Sequence, residues 1–144
     1  MFHNPSDEQR RELLQEAKTI AVVGLSNKPD RTSYMVSAAM QNVGYKIIPV
    51  NPMIAGETVL GEKVVASLTD IEEAVDIVNV FRRSEDIPPV AEETLKMKQK
   101  PKAFWLQQGI ANEQAAEQVS AEGIQVIMDL CIKVDHALLR IGKK

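Results

Sequence analysis

The loop after the first strongly apolar segment of the chain carries residues that suit phosphate binding. Residues 20–23 are typical of a buried β-strand, and Gly24 opens a short loop that leads into a helical pattern. A strand, a tight loop and a helix N-terminus together form an anion site, because the N–H groups of the first helical turn have no partner within the helix. The Ser26 hydroxyl and the backbone N–H groups of Asn27 and Lys28 could hold a phosphate oxygen there. The alternative for Ser26 is a turn residue or a helix cap.

Arg31 and Ser33, at the start of the helical pattern, could bind phosphate through charge-assisted hydrogen bonds. The alternative is an exposed arginine followed by a serine that caps the helix. The dinucleotide fingerprint G-x-G-x-x-G is missing, because Ser26 and Pro29 stand where that motif needs glycines after Gly24. The loop therefore predicts a phosphate ligand, but not the pyrophosphate of NAD in its usual pose.

Polar, basic or glycine residues also follow each of the other apolar segments. These stretches are Asn51-Pro52, Phe81-Arg82-Arg83, Gln107-Gln108-Gly109 and Asp129 to Lys133. In open α/β sheets the ligand lies outside the carboxyl ends of the strands, so these stretches should meet at one site. The basic residues among them and in the first loop predict an anionic ligand.

The order of the elements predicts how these residues are positioned. Apolar strands are expected at 20–23, 45–50, 77–81, 103–106 and 124–128. They alternate with helices that begin after Ser6, end at Gly44, and span 84–98 and 112–122, and a final helix closes the chain. This alternation predicts an α/β fold with a single doubly wound parallel sheet, Rossmann-like, with helices on both faces. Residues 53–70 are expected to be irregular, with a short strand near Val59.

Two helices have apolar residues at helical spacing, which predicts the faces that they bury. For the second helix these are Met35, Val36, Ala39, Met40 and Val43, and for the last helix they are Val134, Ala137, Leu138 and Ile141. Trp105 and Phe81 are expected to pack in the core.

Composition restricts the possible functions. The 144 residues fit one domain, 1–144, with an N-terminal helix within 1–18 packed on it. A net charge of −3 argues against nucleic-acid binding, and no apolar run approaches the length of a membrane span. One cysteine, Cys131, fits a reducing compartment, so a cytoplasmic location is expected. Cys131 could be a reactive thiol, but its apolar neighbours favour a buried and inert one.

Four ordered motifs resemble the small CoA-binding domain proteins of bacteria and archaea, and the likeness covers nearly the whole chain. The motifs are Gly24-Leu25-Ser26-x-x-Pro29-x-Arg31-x-Ser33, Val50-Asn51-Pro52, Val80-Phe81-Arg82-Arg83 and Met128-Asp129-x-Cys131-Ile132-Lys133. That family is similar to the N-terminal, CoA-binding domain of the succinyl-CoA synthetase α subunit. Leu130 departs from the arginine usual in the family. The resemblance implies a Rossmann-like domain that binds coenzyme A.

The resemblance also implies roles for single residues. Ser26 corresponds to a loop residue that contacts CoA in the synthetases, and the loop of Gln107, Gln108 and Gly109 corresponds to the one that touches the pantetheine arm. Phe81 or Arg82 could pack on adenine or pantetheine, with Arg82 and Arg83 as ordinary surface charges the alternative.

Asn51 stands where NAD enzymes place a carboxylate, and its neutral side chain avoids repelling the 3′-phosphate of CoA. An Asn51-Pro52 turn explains the pair as well.

The sequence thus predicts a protein that binds CoA or an acyl-CoA and is non-catalytic alone, with no catalytic residue and no metal site. The 144 residues are expected to be too few to include the ligase and ATP-grasp domains of the synthetases. No catalytic or zinc-binding set is expected from His3, His136 and Cys131. An NADP-binding, oxidoreductase-like protein is the alternative. A regulatory protein or subunit, with a protein partner or as a homo-oligomer, also remains open.

Overall fold

The computed structural model describes residues 2–144 and contains a five-stranded parallel sheet. The sheet strands are β1 (Thr19–Val23), β2 (Lys46–Val50), β5 (Ile77–Val80), β6 (Ala103–Leu106) and β7 (Gln125–Ile127). The remaining strands, β3 (Thr58–Val59) and β4 (Glu62–Lys63), form a small antiparallel hairpin. All five predicted sheet strands are confirmed, with ends that differ by one residue at most.

The strand order is β2-β1-β5-β6-β7. The chain runs outward from β1 to the edge strand β2, crosses back to β5 on the other side of β1, and then continues outward to β7. The direction of winding therefore reverses between β1 and β5. This doubly wound, Rossmann-like α/β architecture is the predicted one, and the reversal places a crevice at the carboxyl ends of these two strands.

Helices cover both faces of the sheet. They are α1 (Asp7–Glu16), α2 (Thr32–Asn42), α3 (Ile87–Leu95), α4 (Glu113–Ser120) and α5 (Ile132–Leu138). On one face α3 and α4 pack through residues such as Val90 and Val119, and on the other α1, α2 and α5 pack through residues such as Leu14, Met40 and Ile132. No helix within residues 2–144 is long and apolar enough to cross a membrane.

Local signals in the sequence explain where the helices begin and end. Ser6 and Gln9 form the predicted capping box of α1, and the Asn112 side chain accepts from the N–H of Ala115 at the start of α4. Gly44, at φ +108°, ends α2 in the left-handed conformation. The helix expected at 84–98 is shorter, because a 3₁₀ turn at Ser84–Asp86 precedes the two prolines that open α3.

Pro49 lies inside β2 without breaking the sheet. Its carbonyl accepts a hydrogen bond from the N–H of Val65 at 3.0 Å, on the side of β2 away from β1. The nitrogen of a strand residue faces the same side as its carbonyl, so no ladder bond to β1 is lost. An edge strand accepts proline for this reason.

Two predicted buried faces are wrong in part. Met35 of α2 is exposed, and the helix instead buries Ser33 and Ser37 beside Val36 and Met40. The buried face of α5 differs more from the predicted one. Val134, Ala137 and Leu138 face solvent, and the core side of the helix and its C-cap instead consists of Ile132, Asp135, His136 and Leu139.

An ion pair explains why α5 buries polar residues. The Arg10 guanidinium on α1 donates to the Asp135 carboxylate at 2.7 Å, with side chains only 11% and 6% exposed. Arg10 also donates to the Pro5 carbonyl and to Asp7. The hydrogen bond and charge of Asp135, and to a smaller extent those of Asp7, raise the pKa of Arg10 above its ordinary value, although burial opposes the shift. Pairing and hydrogen bonding are what permit charges at this depth.

His136 is buried beside this pair, with its ring edge-on to Tyr45 at 5.9 Å between centroids. Burial lowers its pKa, against the smaller effect of a hydrogen bond with the Gly142 backbone. Burial likewise raises the pKa of Tyr45 to about 12.

Asp135→Ala should lower the free energy of unfolding by about 3–5 kcal/mol, because the Arg10 guanidinium would stay buried without its carboxylate. Urea denaturation measures this change. Glu73→Ala is the matched control, since Glu73 pairs with Lys46 with both side chains about half exposed, and its loss should cost no more than about 1 kcal/mol. Equal losses in the two variants would contradict the structural importance of the Arg10–Asp135 pair.

Stability should fall as the pH drops below neutrality, in part because of His136. Its pKa in the folded protein lies below the ordinary value of 6.5, so the unfolded chain binds a proton more readily between these two values. His136→Phe should therefore reduce the slope of unfolding free energy against pH in that window, as measured by denaturation at several pH values. His3→Gln, which removes an exposed imidazole, is the control, and an unchanged slope in His136→Phe would contradict the prediction.

Candidate functional site

The loops after β1 and β5 touch where the winding reverses. Gly24 has φ +86°, and a methyl group built on it would lie 2.3 Å from the Phe81 carbonyl oxygen and 3.4 Å from Arg82 Nη1. The Gly24 N–H donates to the Val50 carbonyl of β2 at 2.8 Å. Only glycine combines this conformation with so close an approach. The contact brings the first loop, Phe81 and Arg82 together at the carboxyl edge of the sheet.

Hydroxyl groups organise the loop between β1 and α2. The Ser26 N–H donates to Ser33 Oγ, and the Lys28 N–H donates to Ser26 Oγ, both at 3.0 Å. The Lys28 N–H is thus engaged within the loop, although the sequence suggested it for a ligand. Both hydroxyls keep their own hydrogen for donation to a ligand. Ser33 is not the cap of α2, because Arg31 occupies that position.

The N-terminus of α2 opens into a cleft of about 440 Å³, here called the β1–β5 cleft. Its lining consists of loop and helix-start residues with one aromatic ring: Gly24, Ser26, Lys28, Arg31, Thr32, Ser33 and Phe81. Arg31 makes no side-chain capping bond to the first turn of α2. Within residues 2–144 no side chain accepts from the N–H groups of this first turn. These groups lie beside the exposed side chains of Lys28 and Arg31, an arrangement that favours an anion.

A second cleft of about 370 Å³, the β5–β6 cleft, lies beside the first. Its lining is Thr32, Phe81, Gln107, Gln108, Ile110 and Cys131. Thr32 and Phe81 line both clefts, so the two are adjoining parts of one crevice. Phe81 is half-buried as this shared wall, where the sequence favoured a plain core residue.

Gln107 forms the buried wall of the β5–β6 cleft. The residue as a whole is 4% exposed, and its Oε1 accepts from the Ile132 N–H at 3.0 Å. Within residues 2–144 the amide nitrogen has no hydrogen-bond acceptor, which leaves a donor for a ligand. Trp105 is fully buried as predicted and donates to the Leu130 carbonyl at 2.8 Å.

Several of the predicted site residues lie outside the two clefts. The Asn27 amide donates to Glu57, and Arg83 is exposed and pairs with Asp86 at 3.1 Å. Asn51 donates to the Leu25 carbonyl and accepts from the Met53 N–H, so both ends of its amide hold the loop.

Pro52 and Gly109 also lie outside the two clefts and serve local structure. Pro52 opens a 3₁₀ turn and is exposed. The Gly109 N–H donates to the Asp129 carboxylate at 2.6 Å.

The sequence missed three cleft residues as binding candidates: Thr32, Ile110 and Cys131. Thr32 stands between the predicted Arg31 and Ser33, so its place in the first turn of α2 could have indicated it. Cys131 was expected to be buried, but it is half-buried with its thiol unpaired. Apolar neighbours in sequence do not reveal that the segment after β7 turns back toward β6.

A larger cleft, about 500 Å³, lies beside the edge strand β7, between the N-terminal segment and α4. Its lining includes the Glu117 carboxylate and no lysine or arginine, so it does not favour an anion. Within residues 2–144, no group of three or more His, Cys, Asp or Glu side chains could hold a metal ion.

Known proteins of similar sequence and structure indicate the family of this chain. Residues 18–137 match the family described as CoA binding domain. The chain is 56% identical over 139 residues to the uncharacterized protein YneT of Bacillus subtilis (strain 168), which covers 96% of this chain and 100% of YneT.

Solved structures show the same fold. Cell-free ID.343 from Thermus thermophilus has a TM-score of 0.89 at 38% identity, covering 94% of this chain and 99% of that one. A hypothetical protein from Pyrococcus horikoshii OT3 has a TM-score of 0.88 at 29% identity, with coverage of 97% and 98%. The predicted resemblance is therefore confirmed, and the chain belongs to the CoA-binding domain family.

Proposed function

We propose that this chain binds CoA or an acyl-CoA across the two adjoining clefts. The phosphates occupy the β1–β5 cleft and the pantetheine arm occupies the β5–β6 cleft. The observation that carries the proposal is the uncapped N-terminus of α2, which faces Lys28 and Arg31 in a cleft at the winding reversal of a CoA-binding family member.

The β1–β5 cleft suits the pyrophosphate. Ser26 and Ser33 offer hydroxyl hydrogens, and the first turn of α2 offers backbone N–H groups. Lys28 and Arg31 add positive charge, and neither makes an ion pair within residues 2–144. Charge-assisted hydrogen bonds of this kind are stronger than neutral ones.

The β5–β6 cleft suits the pantetheine arm, which carries two amide groups on a mostly apolar chain. The unpartnered amide nitrogen of Gln107 can donate to a pantetheine carbonyl, and the exposed Gln108 amide can both donate and accept. Phe81 and Ile110 supply apolar surface for the methylene and methyl groups between them. Because the two clefts adjoin at Thr32 and Phe81, one extended ligand can occupy both.

The arginines at this edge suit the 3′-phosphate or the adenine. Arg82 lies against Gly24 and makes no ion pair within the part of the chain described, 2–144. Its guanidinium can therefore contact phosphate or stack on a base. Arg83 is held by Asp86 but is exposed, so it remains within the proposed set.

The proposed activity is binding without turnover by this chain alone. The cleft residues offer hydroxyl, amide, ammonium, guanidinium and thiol groups, which bind and orient a ligand. A regulatory role, in which CoA occupancy changes contact with a protein partner or a second copy, extends the proposal.

CoA should raise the melting temperature, because a ligand that binds only the folded state stabilises it. At a concentration of 100 times the dissociation constant the gain is about 2.7 kcal/mol. Calorimetric titration and thermal denaturation with CoA, acetyl-CoA and NADPH measure it. Tight NADPH binding, with no heat and no melting shift from millimolar CoA, would overturn the proposal in favour of an NADP-binding protein.

Dephospho-CoA should bind more weakly than CoA if one arginine contacts the 3′-phosphate. The loss of one charge-assisted hydrogen bond should cost roughly 1.5–3 kcal/mol. The arginine responsible is the one among Arg31, Arg82 and Arg83 whose replacement by alanine makes the two affinities equal.

Lys100→Ala is the control for the loss of one positive charge, since Lys100 precedes β6 and pairs with Glu122 at 2.5 Å. It should preserve the difference between the two ligands. Equal affinities in the unaltered protein would mean that none of the three arginines contacts the 3′-phosphate.

A further inference from the structure

A reverse turn after β6 supplies one side of the β5–β6 cleft. The Ile110 N–H donates to the Gln107 carbonyl at 2.9 Å and closes the turn, and Gly109 has the positive φ, +83°, that suits its third position. Gln107, Gln108 and Ile110 of this turn line the cleft. The conformation of the turn therefore sets the position of these lining residues.

Asp129, two residues after the end of β7, holds this turn from outside the cleft. Its carboxylate accepts from the Gly109 N–H at 2.6 Å, and its own N–H donates to the Ile110 carbonyl at 3.1 Å. Asp129 lines neither of the two clefts. One residue thus binds two neighbouring residues of the turn, the first through its side chain and the second through its backbone.

The backbone conformation of Asp129 restricts which residue can do this. Its φ is +60°, in the left-handed region that most L-residues rarely adopt and that Asp and Asn tolerate better. The position also needs an acceptor oxygen on a short side chain, because the Gly109 N–H is bound by Oδ1. Aspartate meets both requirements, and asparagine would meet them as well.

The residues on either side of Asp129 are anchored independently of the turn. The Met128 N–H donates to the Asn4 side chain at 2.8 Å, and the Asn4 amide donates to the Met128 carbonyl at 2.9 Å. The Trp105 indole donates to the Leu130 carbonyl at 2.8 Å. The Asp129 carboxylate is therefore an acceptor on a fixed segment, to which the turn after β6 is attached.

We propose that the Asp129 carboxylate is a positioning group for the pantetheine arm, because it fixes the turn that presents Gln107, Gln108 and Ile110 to that arm. The inference rests on the proposed function, since it requires the arm to occupy the β5–β6 cleft. It goes beyond that function by assigning the recognition of the arm in part to a residue outside both clefts.

The carboxylate acts by ordering the turn before the ligand binds. Gln108 and Gly109 are exposed, so few other contacts restrain the tip of the turn. A turn that is already ordered loses less conformational entropy when it binds a ligand. The lining of the β1–β5 cleft includes no residue of this turn. Loss of the carboxylate should therefore weaken binding of the pantetheine arm and leave binding of the nucleotide end unchanged.

Calorimetric titration with CoA and with 3′-phospho-ADP, which is CoA without its pantetheine arm, tests the proposal. Asp129→Gly removes the carboxylate and keeps a residue that readily adopts a positive φ. It should weaken CoA binding about tenfold, the equivalent of one charge-assisted hydrogen bond, and leave 3′-phospho-ADP binding unchanged. Asp129→Asn keeps the acceptor oxygen and should retain most of the CoA affinity.

Asp70→Ala is the matched control. The Asp70 carboxylate also accepts from the N–H of a turn residue, Ser67, at 3.2 Å, but neither residue lines a proposed cleft. This variant should leave the affinities for both ligands unchanged.

Hydrogen exchange followed by NMR provides a second measurement, which needs no ligand. The Gly109 amide should exchange faster in Asp129→Gly than in the unaltered protein, and Asp129→Asn should keep most of the protection. Unchanged exchange in Asp129→Gly would contradict the role of the carboxylate in ordering the turn.

Three results of the titrations would overturn the inference: equal losses for CoA and 3′-phospho-ADP, no loss for CoA, or an Asp129→Asn variant as weak as Asp129→Gly. Titration of the unaltered protein separates such a result from failure of the proposed function. CoA that binds the unaltered protein, followed by any of these results, leaves the proposed function standing and rejects the role of Asp129. CoA that does not bind the unaltered protein rejects both.

Discussion

The contact between Gly24 and Phe81 is the constraint on which the crevice depends. The Gly24 N–H bonds to the end of β2, and the Phe81 N–H bonds to Val23 of β1, both at 2.8 Å. These bonds fix the ends of three neighbouring strands around a position where any side chain would meet the Phe81 carbonyl. Because Phe81 lines both clefts, a larger residue at position 24 would displace their shared wall.

The first loop shows that a structural and a binding role can belong to one residue. Ser26 and Ser33 each accept a backbone N–H, as turn or capping residues do. A hydroxyl that accepts still has its hydrogen, so the same atoms that hold the loop can donate to a phosphate. The two interpretations of Ser26 that the sequence left open are therefore compatible.

Sequence patterns predicted what depends on local signals and missed what depends on distant partners. The strands follow from short stretches, because a buried parallel strand is apolar throughout. The capping box of α1 and the end of α2 at Gly44 follow from short stretches as well. The buried face of α5 does not follow from a short stretch, because Asp135 faces the core to pair with Arg10 on another helix. In the β5–β6 cleft, Phe81, Gln107 and Gln108 were predicted from the strand ends, whereas Thr32, Ile110 and Cys131 were not named as binding residues, since they join the cleft only after folding.

Charge is divided between the two edges of the sheet. At the amino edge, basic residues face acidic partners: Lys46 with Glu73, Lys98 with Glu72, Lys100 with Glu122 and Lys102 with Asp76. At the carboxyl edge, Lys28, Arg31 and Arg82 make no ion pair within residues 2–144. Three cationic side chains without an ion pair at one edge can therefore attract an anionic ligand, although the net charge of the chain is −3.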